Sequence, residues 1–158
     1  MRRIYMLFIA AAAFFAGCAP EQVPLDSPYV YIEDSEGNSK MDVGAAANDY
    51  AVTLYVHTSS RLMDRDVKVS YKAVAGNGLT EGRDFRIKQG TSAELTFAPG
   101  IYRMPIHIVW YKAQAFDPAA DNTLTFEITE CSESDFTIGL LSLGDSHLKT
   151  SYTFTRTK

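Results

Sequence analysis

From residue 50 to residue 156 the chain repeatedly alternates apolar and polar side chains at every second position. Tyr50 to Thr58 sets Val52, Leu54 and Val56 on one side and Thr53, Tyr55 and His57 on the other, the period of a strand with one buried face. Asp66 to Ala73 repeats it, with Val67, Val69, Tyr71 and Ala73 against Lys68, Ser70 and Lys72. Tyr102 to Trp110 turns Met104, Ile106, Ile108 and Trp110 inward, and Thr123 to Thr129 does the same with Leu124, Phe126 and Ile128. Thr150 to Arg156 alternates Tyr152 and Phe154 with Ser151, Thr153 and Thr155. Tyr29 to Ile32 and Ala93 to Phe97 are shorter β-rich runs. Strands at such spacings predict an all-β fold, an immunoglobulin-like antiparallel β-sandwich of about seven strands. The polar face on each strand excludes a doubly covered parallel sheet. Asp42 to Asn48, with three alanines, is the one place for a short helical turn. Pro105 falls inside a predicted strand and has no amide proton, so it belongs at a sheet edge or a bulge.

The segments between the strands carry more specific signals. A turn-rich stretch, Gly76 to Phe85, closes on Gly82-Arg83-Asp84-Phe85, and Leu95-Thr96-Phe97-Ala98-Pro99-Gly100 ends the next strand at a turn. With Leu124-Thr125-Phe126-Glu127-Ile128, these motifs resemble those of the Calx-beta domain and of related sandwich domains in small Bacteroides-type surface lipoproteins. The resemblance covers Tyr29 to Arg156. It implies a calcium site built from an acid after the first strand (Glu33 or Asp34), from Asp84, and from an acidic run after the strand that ends at Trp110. The third component is replaced here by Trp110-Tyr111-Lys112-Ala113. Calcium takes six to eight oxygen ligands, and three carboxylates beside Lys112 fall short unless Asp117 or Asp121 folds back. The expectation is therefore no bound cofactor and a structural Asp84 that accepts backbone hydrogen bonds within its glycine loop. Calcium binding through Glu33, Asp34 and Asp84 stands as the alternative.

The start of the chain reads as an address. Arg2-Arg3 precedes an apolar run from Ile4 to Phe15, too short for the roughly 20 residues of a spanning helix. Phe15-Ala16-Gly17-Cys18 resembles a lipobox, which implies lipid on Cys18 and loss of the preceding residues. The organisation expected is a signal peptide and lipobox cysteine over 1–18, a proline-bearing tether over 19–28, and a sandwich domain over 29–158. Processing takes 15 basic residues to 13 against 19 acidic ones, a net charge of about −6. An acidic chain without a basic cluster has no footprint for nucleic acid. Attachment to a membrane then falls to the lipid. With Cys18 acylated, Cys131 has no partner for an intrachain disulfide.

Catalytic chemistry is not legible. His57 and His107 take the outward parity of their strands, and neither they nor His147 sits in a metal-ligand spacing. No Gly-x-Ser-x-Gly elbow occurs, and Cys131 reads as a small, partly buried apolar residue. The remaining lead is aromatic: Tyr55, Tyr102 and Tyr111 fall on outward positions or in loops, and Tyr55 and Tyr111 are the candidates to stack on a sugar or fill a partner's pocket. Trp110 shares the parity of Ile106 and Ile108 and is expected in the core. The expected function is a non-catalytic, lipid-anchored binding or scaffolding module of the outer membrane, facing the periplasm or the cell surface, whose partner is a glycan or an envelope protein. The alternatives are a calcium-binding Calx-beta module and an assembly subunit that offers an exposed edge strand.

Overall fold

The computed structural model describes residues 28–59, 63–112, 116–142 and 145–158. The signal segment with Cys18, and residues 19–27 of the tether, lie outside the described residues. Every regular element in the described residues is a strand: β1 (Tyr29–Glu33), β2 (Lys40–Val43), β3 (Tyr50–Thr58), β4 (Val67–Ala75), β5 (Phe85–Ile87), β6 (Ser92–Phe97), β7 (Arg103–Trp110), β8 (Thr123–Cys131), β9 (Thr137–Ile138), β10 (Leu140–Ser142), β11 (Asp145–Leu148) and β12 (Ser151–Arg156). Sheet A runs β5-β7-β3-β1-β9 and sheet B runs β2-β12-β8-β4-β6, with β10 and β11 forming a separate hairpin. The seven predicted strands are present as β1, β3, β4, β6, β7, β8 and β12. The segment around Asp42 is not helical: it enters strand β2, and 44–46 continue without regular structure.

The two sheets bury the inward sets that alternation assigns. Leu54, Val56, Ile106, Ile108 and Trp110 of sheet A meet Val67, Val69, Tyr71, Leu124, Phe126, Tyr152 and Phe154 of sheet B, all at most 1% exposed. Aromatic rings run through the middle. Phe85 packs on Trp110, Trp110 on Phe154, and Phe154 on both Phe126 and Tyr152. Burying side chains of this size contributes roughly 1.5–3 kcal/mol each, so the layer of rings is the main source of cohesion.

The strands are not all antiparallel. The outermost strand at one edge of each sheet pairs parallel, β9 with β1 and β2 with β12. A period of two fixes which side chains face the core but says nothing of strand direction, so an alternation pattern cannot anticipate this. The chain crosses from sheet A to sheet B in the turn between β1 and β2, and both strands end beside late segments of the chain.

Pro105 lies where β7 becomes an edge. Strand β5 covers β7 only from Ile108 to Trp110. Beyond it the side-chain amide of Gln89 stands in for a strand, accepting from the His107 amide (3.1 Å) and donating to the Pro105 carbonyl (3.2 Å). The missing amide proton of Pro105 thus falls on a side with no ladder to interrupt, as the sequence requires. Gly76 marks a close approach between loops, since a Cβ there would lie 2.3 Å from Asp121 Cγ. Gly82 has φ +85°, a left-handed conformation that suits glycine at the start of the Gly-x-Asp-aromatic turn.

Candidate functional site

The three carboxylates of the calcium alternative are each engaged with other partners. Asp84 is 1% exposed. Its Oδ1 accepts from Arg156 Nη1 at 2.7 Å, and its Oδ2 accepts from Arg83 Nε (2.7 Å) and from the Thr80 amide (2.8 Å). Arg156, itself 6% exposed, occupies the last inward position of β12, in line with Tyr152 and Phe154. A buried guanidinium and a buried carboxylate therefore neutralise each other inside the sandwich.

Asp34 continues the inward series of β1 and is 4% exposed. Its Oδ1 accepts from the amides of Glu36 and Asn38, both at 2.9 Å, and its Oδ2 accepts from Asn38 Nδ2 and the Tyr152 hydroxyl, both at 3.0 Å. Burial alone would raise its pKa. The hydrogen bonds from Asn38, Glu36 and Tyr152 outweigh that and hold the carboxyl below its ordinary value. Glu33 pairs with Lys149 Nζ and approaches His57 Nε2 at 3.4 Å.

Asp34 and Asp84 also sit on different parts of the core. Their partners Tyr152 and Arg156 are four residues apart on β12, a separation of about 13 Å. Among the described residues no group of three or more His, Cys, Asp or Glu side chains could hold a metal ion. Glu33, Asp34 and Asp84 do not fit a calcium cage, because two are consumed by cations and the third by the turn it caps.

A different constellation stands on the outer face of sheet A. On β1 the outward positions are Tyr29, Tyr31 and Glu33; on β3 they are Tyr55 and His57; on β7 they include Arg103. Register brings them side by side, with Tyr31 opposite His57, Glu33 opposite Tyr55, and His57 opposite Arg103. The Tyr31 and His57 rings stack at 4.8 Å and 9°, Tyr29 lies 5.9 Å from Tyr31, and Tyr55 meets His57 edge-on at 6.2 Å. The Arg103 guanidinium rests over the Tyr55 ring at 4.2 Å. Lys149 reaches over Tyr31 at 5.7 Å from a backbone with φ 59°, a left-handed conformation uncommon for a side-chain-bearing residue. Its carbonyl accepts from the Ile32 amide at 3.0 Å, which fastens this turn to β1.

The electrostatics of this face follow from its packing. Burial lowers the His57 pKa, Glu33 opposes that, and Arg103 and Lys149 add to the fall, so the imidazole is neutral near pH 7. Burial, then Glu33 and Tyr29, raise the Tyr31 phenol. The face thus carries a neutral histidine, three tyrosines, a paired Glu33 and Lys149, and Arg103.

Of the residues singled out by sequence, Tyr55 belongs to this cluster and Tyr111 does not. Tyr55 stands opposite Pro105, six residues before Tyr111, or about 20 Å along the strand. Tyr111 is half-buried just past β7, where its amide donates to the Asp84 carbonyl at 2.9 Å. His107 bonds Thr53 at 3.2 Å and stands apart from His57. His147 lies in β11. Burial pushes the Cys131 thiol up, which disfavours the thiolate a nucleophile needs. The residues that sequence reading missed are Tyr29, Tyr31, Arg103 and Lys149. The first two were accessible by extending the outward parity of β1; Lys149 belongs to a turn and has no periodic signal.

No protein-family model and no curated protein matches the sequence at a significant level. Solved structures do. CBD12 from CALX1.2 superposes with a TM-score of 0.55 at 16% identity, over 81% of this chain and 44% of that one. Bacteroides thetaiotamicron EndoBT-3987, determined with a Man5GlcNAc product, superposes with a TM-score of 0.51 at 11% identity, over 80% of this chain and 30% of that one. The chain spans less than half the length of either. At these identities the likeness is one of fold, and the fold is a Calx-beta-like β-sandwich.

Proposed function

We propose that this chain is a non-catalytic binding module of the cell envelope, held at the outer membrane by lipid on Cys18, and that it takes a glycan on the outer face of sheet A. One observation carries the reading. The two outer faces of the sandwich differ in kind. That of sheet B is a solvated strand surface, with Lys68 paired to Glu94 (2.8 Å), Lys72 to Glu127 (2.9 Å) and Thr125 bonded to Thr153 (3.1 Å). That of sheet A gathers four rings and an exposed arginine from three adjacent strands. Aromatic side chains with polar tips concentrate where a surface meets a ligand. Attachment is supported by the Arg2-Arg3 segment, the short apolar run and the lipobox-like Phe15-Ala16-Gly17-Cys18.

Two experiments test the proposal. Mass spectrometry of membrane fractions is expected to find an acylated N-terminus at Cys18; an unmodified product beginning elsewhere overturns the anchor. On a glycan array, the full chain in detergent is expected to give hits that weaken roughly tenfold in Tyr55→Ala, the loss of an aromatic contact worth about 1–1.5 kcal/mol. Tyr111→Ala should leave them unchanged, because Tyr111 stands well away from this face. A silent array together with co-purification of an envelope protein removes the glycan reading and favours edge-strand assembly instead.

A further inference from the structure

We propose that the sugar held on this face is anionic, and that the Arg103 guanidinium takes its carboxylate or sulfate. The inference rests on the glycan-binding reading above and adds the chemical class of the ligand. It begins with what the rings leave open. Tyr31 and His57 cover each other's faces in a parallel stack, and Arg103 covers one face of Tyr55. A neutral pyranose is gripped chiefly by laying its C–H face on a free ring, and this surface has spent much of that capacity on its own packing. What it presents outward is ring edges, phenol hydroxyls and a guanidinium.

Arg103 is poised for an anion. The guanidinium sits 4.2 Å over the Tyr55 ring, and the planar fork of an arginine matches two oxygens of a carboxylate or a sulfate. The carboxylate of the cluster, Glu33, is already held by Lys149 and His57. No carboxylate among the described residues lies within ion-pair distance of Arg103, which among the cations of this aromatic cluster sets it apart from Lys149, held by Glu33. The hydroxyls of Tyr29, Tyr31 and Tyr55 likewise have no hydrogen-bond partner among the described residues and are free for sugar hydroxyls. The face therefore carries an uncompensated positive charge on a chain whose formal net charge is −4. A local positive charge on a chain of opposite net charge favours an anionic ligand on this face.

Isothermal titration of the full chain in detergent separates the possibilities, using trigalacturonate, its methyl ester and a sulfated chondroitin disaccharide as probes. Binding of either acidic probe, weakened by added salt and reduced roughly tenfold in Arg103→Gln, supports the inference, since one charge-assisted pair is worth about that factor. Arg103→Lys should recover only part of the loss if the planar fork matters. Which acidic probe binds tells carboxylate from sulfate. Equal binding of the methyl ester overturns the anionic class and leaves the glycan reading standing. Acidic binding untouched in Arg103→Gln, or no binding of any probe, also overturns it, and in the last case the array result with Tyr55→Ala decides whether the broader reading falls too. Arg103 is exposed, so a thermal melt of the variant matching the parent confirms that folding is not the cause.

Discussion

Asp84→Ala is expected to lower the free energy of unfolding by about 3–5 kcal/mol, because it strands a guanidinium inside the sandwich. Arg156 is 6% exposed and lies 2.7 Å from Asp84 Oδ1. Remove the carboxylate and a buried cation loses its counter-charge, while the Thr80 amide loses its acceptor. The half-exposed Arg83 adds little to the cost, since water already screens it. Desolvation governs the penalty, so removing both charges should hurt less than removing one. The double variant Asp84→Ala/Arg156→Met is accordingly expected to regain most of the loss in urea denaturation. If Asp84→Ala unfolds at the parent's midpoint, the pair is not a structural element of this core. The same proteins address calcium. A cation at Asp84 would have to displace two guanidiniums, so added calcium is expected to leave the parent's midpoint unchanged. A calcium-dependent rise that disappears in Asp84→Ala would restore the metal reading.

This ion pair also shows where sequence reading reaches its limit. The Gly82-Arg83-Asp84-Phe85 motif marks Asp84 as a loop acid expected to accept backbone hydrogen bonds, and the Thr80 amide donates to it. Its principal partner is 72 positions away, and nothing local to either residue announces the other. A trace exists in parity: Arg156 falls on the inward series of Tyr152 and Phe154, and a charge on a buried position demands a counter-charge. Alternation over long segments was fully legible, which is why β3 matches its predicted bounds. Strand β5, three residues long, offers too few positions to establish a period. Strands β2 and β9 are short edge elements defined by the neighbours they join rather than by their own pattern.

The outer face of sheet A divides in the same way. That Tyr55 and His57 point away from the core follows from counting. That Tyr31 stacks on His57, and that Arg103 lies over Tyr55, depends on the register between three strands, and register is a long-range property. Tyr55 and Tyr111 looked alike in sequence because both are aromatic and neither fits an inward series. Distance along β7 separates them.

Asp34→Ala is expected to cost about 3 kcal/mol, and its coupling to Tyr152 gives the sharper test. The substitution removes four hydrogen bonds to an ionised carboxylate and leaves the Tyr152 hydroxyl buried with no acceptor, a penalty of about 1–3 kcal/mol by itself. Tyr152→Phe alone deletes only the hydroxyl and should cost about 1 kcal/mol. In the double variant no hydroxyl is orphaned, so the combined loss should fall short of the sum of the singles. Strict additivity in urea denaturation would mean that Asp34 acts only within its own turn and does not tie β1 to β12. Acid titration supplies an independent readout. The Asp34 carboxyl is held below its ordinary value of 3.8, so the folded state binds its proton less readily than the unfolded chain does. The stability this gives is complete above the ordinary value and drains away as pH falls through the lower folded one. In Asp34→Asn that contribution to the acid limb should vanish, and the stability of the variant should fall less steeply below about pH 4 than that of the parent.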